Sequence, residues 1–291
     1  MYNKLKPYIM LTPVLAVISS VFISGLVMGF LQSLGHFSVI GMKQFTFKYY
    51  KEVFMDRGFL ESLKFSLYIS FVSSVTAVIA GALLAYSILQ NKHNKGIEQL
   101  LYKLPVIVPH SVAALLAYNM LAQSGIASRI LYHMGIINAQ TDFPSLVFDK
   151  NGAGILFAYL WKEIPFVAMV VYAIWRNMND QLSEAALNLG ANKRQVFWHV
   201  LLPLAMPTIA STFIIIFAFS FGAFEIPYLL GPTAPKTLPV KAYIEYTNPD
   251  LTHRPYTMAI NMILTLISLF LLWLYNKAFQ LISKYNHESR T

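Results

Sequence analysis

Apolar residues in this chain come in long, nearly unbroken runs, without the alternation of a half-buried strand or the narrow stripe of a surface helix. A helix rises about 1.5 Å per residue, so roughly 20 apolar residues cross a hydrocarbon layer about 30 Å thick. Six windows reach that length: residues 8–31, 62–89, 104–122, 153–175, 204–230 and 257–275. Polar or Pro/Gly-rich stretches bound each one, and the third opens with Pro105 and Pro109. The pattern predicts an all-α membrane protein with six transmembrane helices, built as a single transmembrane domain over residues 1–291. An even number of spans puts both termini on one side.

Composition agrees. Of 291 residues, 56% are apolar and 12% charged, against about 25% charged in soluble domains. The net charge of +9 is assigned to the basic flanks of membrane spans and not to nucleic acid. Eleven Lys and Arg fall on the side of the termini and ten on the other. Orientation therefore rests on the short basic loop of Lys92, Lys95 and Lys103, which places the termini in the cytoplasm. The first window follows Lys4 and Lys6 but exceeds a signal-peptide core and lacks a small-residue cleavage site, so it reads as a retained span. Along the second, Ser73, Ala77, Gly81 and Ala85 fall every four residues, which lets a neighbouring helix approach closely.

Between the fourth and fifth windows lies a polar segment, residues 176–203, too elaborate for a linker. It reads as two short helices. Asp180 or Asn179 can cap the first, and Gly190 supplies the left-handed residue that ends it. Asn192 caps the second, with Gln195 three residues on making a near capping box, and Pro203 is expected to end it. Lys193 and Arg194 sit in the first turn, where the helix dipole disfavours cations. They serve either as the positive-inside flank of the fifth span or as contacts to an acidic partner or anionic lipid headgroups.

In that segment Glu184-Ala185-Ala186, three residues, Gly190, nine residues, Val200, one residue, and Leu202-Pro203 resembles the EAA motif of ABC importer permeases. Val200 replaces the isoleucine of the family pattern. Phe47 to Tyr50, Glu61 to Leu63, Leu104-Pro105 with Pro109-His110, and residues 202–207 resemble the spermidine/putrescine, sulfate/molybdate and ferric-iron branch. The resemblance implies a type I ABC importer permease fold, with the elbow as a coupling helix that docks into a cytoplasmic ATPase. It also implies the rest of the machine: two ATPase copies, a second permease chain identical to this one or a sister, and an extracytoplasmic solute-binding protein, all at a bacterial cytoplasmic (inner) membrane. ATP and Mg would sit at the partner ATPase, with no cofactor on this chain. Leu187, Leu189, Val196 and Phe197 would anchor the elbow to the bundle or to the partner.

Other chemistry finds little support. None of the fourteen glycines is followed by lysine, so no phosphate-binding loop is present. Zero cysteines exclude thiolate metal sites and thiol nucleophiles. The histidines lack metal-ligand spacing, and no G-x-S-x-G elbow occurs. A secondary transporter or channel is the alternative class, but it leaves the motif unexplained.

Ionisable groups within spans are candidates for function. Lys162 and Glu163 lie in the fourth window, and Glu225 near the outer end of the fifth. Adjacent helical positions point about 100° apart, so Lys162 and Glu163 cannot both face one target. Glu225 serves a translocation path or gate, or else forms a structural ion pair or caps broken backbone near Pro227. Asn119, Ser220 and Tyr228 are further path candidates, and interhelical hydrogen bonds are the simpler role for such groups. A carboxylate in the path suits a cationic substrate such as a polyamine and penalises an oxyanion such as sulfate; sulfate/molybdate, ferric iron and a phosphorylated or phosphonate compound stay as the substrate alternatives. The stretches 32–61, 123–152 and 231–256 lie outside and suit docking of a binding protein. In the last, Pro232, Pro235, Pro239, Pro249 and Pro255 keep the chain stiff.

Overall fold

The structure is a computed structural model that describes residues 2–90, 103–177 and 180–288. The basic positions Lys92 and Lys95, the cap candidate Asn179 and the side chain of Asp180 lie outside the described residues. The chain is nearly all helical. In order, the helices are α1 (Tyr2–Ser33), α2 (Lys48–Met55), α3 (Arg57–Gln90), α4 (His110–Leu121), α5 (Ile126–His133), α6 (Ala153–Asn177), α7 (Asp180–Asn188) and α8 (Lys193–Val196). A π-helical turn, Phe197–Leu201, then leads into α9 (Leu202–Gly222), followed by α10 (Glu225–Leu230), α11 (Leu238–Tyr246) and α12 (Arg254–Glu288).

Among the described residues five helical stretches are long and apolar enough to cross a membrane: Met10–Ser33, Arg57–Gln90, Ala153–Arg176, Lys193–Gly222 and Leu251–Leu274. The window at 104–122 is not one continuous span. Residues 103–107 are helical, the backbone opens at 108–109, and α4 restarts after Pro109, which stands extended at φ −56°, ψ 149°. Proline has no N–H to continue the ladder and forces the residue before it out of the helical region.

Two other boundaries differ from expectation for related reasons. The window at 204–230 breaks at Ala223, whose ψ of 142° is extended. Pro227 would drive its ring into the carbonyl four residues back, which is that of Ala223. Conversely, Pro203 does not end the second elbow helix. The Leu202 N–H donates to the Phe197 carbonyl five residues back, and this wider turn carries the helix past the proline into α9. The 30-residue stretch Lys193–Gly222 is therefore about 45 Å long, some 15 Å more than a hydrocarbon core.

The chain divides into two compact units. In the first, residues 1–60 with 241–267, Asp56 is the polar hub. Its carboxylate accepts from the Gly58 N–H at 2.8 Å and from the Tyr256 hydroxyl at 2.8 Å, and pairs with Lys241 Nζ at 2.9 Å. Partial burial pushes its pKa up, but the bonds from Lys241, Tyr256 and the Gly58 amide outweigh this and hold it below the ordinary value. Asp56 thereby caps α3.

The second unit, residues 61–240 with 268–291, holds two separate apolar clusters. One joins Phe65, Ile69, Ala114, Ile155, Tyr159 and Ile226; the other joins Ala77, Val167, Val171, Trp175, Phe197 and Ala205. The small-residue face of α3 lies against α6, and Ser73, Ala77 and Ala85 are fully buried. A Cβ placed on Gly81 would stand 2.6 Å from Val167 Cβ and 2.9 Å from the Ile164 carbonyl oxygen. Gly81→Ala should therefore destabilise the purified chain by about 1–3 kcal/mol, read as a lower thermal midpoint in detergent. Gly25→Ala, where a Cβ meets nothing within 4 Å, should leave it unchanged or slightly raised.

Candidate functional site

The elbow is built from residues 180–203. Helix α7 ends in a Schellman motif: the Ala191 N–H reaches back to the Ala186 carbonyl and the Gly190 N–H to that of Leu187, each at 3.0 Å. Gly190 takes φ +92°, a conformation glycine adopts freely and a β-branched residue resists. Asn192 then opens α8 with a complete capping box. Its side chain accepts from the Gln195 N–H at 2.9 Å, and its own N–H donates to Gln195 Oε1 at 2.8 Å.

Aromatic side chains mount this elbow on the bundle. The Tyr86 and Phe197 rings lie 4.4 Å apart, and Trp175 meets both edge-on at 6.4 and 6.1 Å. The Trp175 indole donates to the Leu201 carbonyl at 2.9 Å, and the Tyr86 hydroxyl to the Lys193 carbonyl at 3.3 Å. Of the four apolar anchors expected, Val196 and Phe197 are buried against the bundle, while Leu187 and Leu189 face outward, Leu189 at 89% exposure. The sequence reading did not single out Tyr86 and Trp175. Their signal was aromatic character at the ends of two spans, where such side chains are common for many reasons.

The motif residues form one exposed face. Glu184, Ala185, Gly190, Lys193, Arg194 and Pro203 are exposed, and Ala186, Val200 and Leu202 are half-buried. Among the described residues no ion pair engages Glu184, Lys193 or Arg194. A groove of about 470 Å³ runs between the two arms, lined by Ala186, Leu189, Gly190, Gln195, His199 and Val200. Small residues on one arm and a fixed angle between the arms give a shallow, rigid, largely apolar relief with cations at its edge.

The six path candidates do not converge. Glu163 and Ser220 meet, the Ser220 hydroxyl donating to Glu163 Oε1. The Lys162 ammonium points elsewhere, donating to the carbonyls of Pro105 and Val108. Those carbonyls flank the break before α4, so Lys162 covers backbone that a bilayer could not hydrogen-bond. Asn119 is exposed and donates to the Leu115 carbonyl of its own helix at 2.8 Å. Glu225 and Tyr228 are exposed on α10, with the Tyr228 ring stacked on Phe224 at 4.8 Å. Among the described residues no group of three His, Asp or Glu could hold a metal.

Residues 65–283 match the family model described as "Binding-protein-dependent transport system inner membrane component". The chain is 31% identical over 173 residues to "Inner membrane ABC transporter permease protein YdcU" of Escherichia coli (strain K12), a match spanning 55% of each chain. It is 27% identical over 223 residues to "Spermidine/putrescine transport system permease protein PotB" of Haemophilus influenzae, covering 75% of this chain and 74% of that protein. Its fold resembles a chain of the bacterial alginate ABC transporter solved in complex with an alginate pentasaccharide-bound periplasmic protein, with TM-score 0.78, 20% identity and 98% of each chain covered.

Glu163 supplies a test of the buried polar contact. It is 95% buried, counting from its 5% exposure, and among the described residues it makes no ion pair. An anion there would cost several kcal/mol. Glu163→Gln keeps an acceptor for Ser220 and should hold or raise the thermal midpoint, whereas Glu163→Ala should cost about 1–3 kcal/mol. Equal losses in both variants would mean that the charge itself is needed.

Proposed function

The chain belongs to the family of binding-protein-dependent transport system inner membrane components, and from that premise we propose that it is the permease of an ATP-driven importer whose elbow at 180–203 couples ATPase closure to alternating access. As an ABC transporter permease it is a non-catalytic transport subunit, and the ATP is hydrolysed on another chain. The observation that carries the coupling role is the elbow itself: two short helices at an angle fixed by Gly190, held by an aromatic cluster, and presenting small side chains outward. That relief fits insertion into a cleft of a cytoplasmic ATPase, with ATP and Mg bound there.

The broken segment 103–121 joins the five continuous helices as a sixth span, supported by Lys162 at its break. Both termini and the elbow then face the cytoplasm of a bacterial inner membrane. The assembly contains two ATPase subunits, a second permease chain and a solute-binding protein that delivers ligand from outside. The substrate proposed is a polyamine, supported by the likeness to the spermidine/putrescine permease of Haemophilus influenzae. For coupling, a permease need only bind the two ATPase states with different affinity; closure then shifts the membrane helices between outward and inward openings.

Gly190 is the most direct probe. A Cβ there meets nothing within 4 Å, so a substitution acts through backbone conformation alone. Gly190→Val, at φ +92°, should abolish or cut several-fold the binding-protein-stimulated ATPase activity of the assembled complex. Gly190→Asn, which tolerates the left-handed region, should retain most of it. Full stimulation with Val at this position would remove the coupling role from the elbow.

A further inference from the structure

A second concave site lies at the other end of α6 from the elbow. A cavity of about 340 Å³ lies against one side of α5 and is lined by Gln123, Ser124, Ser128, Arg129, Tyr132 and His133, among others. The two sites are separated by α6, whose 25 residues span about 37 Å. If the elbow is cytoplasmic, this cavity opens on the opposite face.

Its chemistry is one-sided. Among the described residues no acidic side chain lines it, while Arg129 and His133 do. Arg129 uses its Nε–H on the Ser124 carbonyl at 3.1 Å, which orients the guanidinium and leaves its terminal amino groups for another partner. Among the described residues no ion pair engages Arg129. The two carboxylates between α5 and α6 accept from backbone N–H groups close to them in sequence. Asp142 accepts from the N–H groups of Asn138 and Ala139 at 3.0 and 2.9 Å, and Asp149 from that of Asn151 at 2.9 Å. Ser128, 4% exposed, also lines the cavity. A hydroxyl on the cavity wall beside a guanidinium that makes no ion pair among the described residues is a donor set that a carboxylate accepts from, with the guanidinium fork matching both oxygens.

We propose that this cavity receives a carboxylate side chain from the docked solute-binding protein, with Arg129 and Ser128 as its donors. The proposal rests on the importer reading given above. A charge-assisted contact of this kind fixes the docking register and holds the complex mainly by slowing its dissociation.

The test uses the assembled complex and the solute-binding protein that copurifies with it, titrated against ATPase activity in detergent and in vesicles with and without anionic lipid. Arg129→Gln should raise the half-maximal binding-protein concentration about tenfold or more in every medium, with the basal and maximal rates unchanged. Ser128→Ala should raise it less, and an acidic-to-basic change on the binding protein should restore docking to Arg129→Glu. An unchanged half-maximal concentration in both Arg129 variants overturns the proposal. So does a loss confined to anionic vesicles, which would assign the cavity to a lipid headgroup. If the binding protein fails to stimulate even the unaltered complex, the importer reading falls and takes this one with it.

Discussion

A bilayer offers no hydrogen bonds, so wherever a helix breaks within it the freed backbone groups must be met from inside the protein. This constraint accounts for the placement of several polar side chains in the second unit. The Lys162 ammonium reaches the Pro105 and Val108 carbonyls at the break before α4. The Trp175 indole takes the Leu201 carbonyl at the π-helical turn. Ser66 accepts the Leu238 N–H at 2.6 Å as the chain returns through residues 231–240. Ser70, Ser73, Glu163 and Ser220 lie on the three helices at heights between the two apolar clusters, and all are buried. A thin polar layer thus divides two dry ones. Such a layer fixes the relative height of the helices, because sliding one past another would strand hydroxyls and a carboxyl in hydrocarbon.

The same reasoning bears on the coupling role proposed for the elbow. A loop that hung loosely from its spans would absorb a partner's motion within itself. Here α8, the π-helical turn and α9 form one continuous stretch, and Tyr86, Trp175 and Phe197 lock its base against α3 and α6. In the proposed coupling role, a displacement of the exposed arm would pass to the helices packed against its base. The wide turn around Pro203 is the weak point in this stretch, and the Trp175 donor sits directly against it.

Local features of the fold were legible in the sequence. Apolar run length found the long helices, Gly190 marked the end of α7, and Asn192 with Gln195 marked the start of α8, because each is decided within a turn or two. Adjacent Lys162 and Glu163 were expected to face different targets, and they do. The misread boundaries all involve proline. A proline signals stress on the helix but does not say whether the chain breaks, as at Pro109 and Ala223, or widens by one residue, as before Pro203. Long-range pairings were not legible. Asp56 and Tyr256 are 200 residues apart, and no periodicity within either segment points to the other. Path candidates fared unevenly for the same cause: only packing decides that Ser220 meets Glu163 while Asn119 turns back onto its own helix.

The central claim is that the exposed arm of the elbow seats in the cleft of a nucleotide-hydrolysing partner. The chain contains no cysteine, so a single one placed at Leu189, 89% exposed, provides a unique crosslinking point in the intact membrane complex. A short thiol-directed crosslinker should join it to one copurifying chain that carries a phosphate-binding loop, with a yield that changes when nucleotide is added. A complex in which that chain is present but Leu189→Cys crosslinks only to lipid or to other membrane subunits would contradict the coupling account.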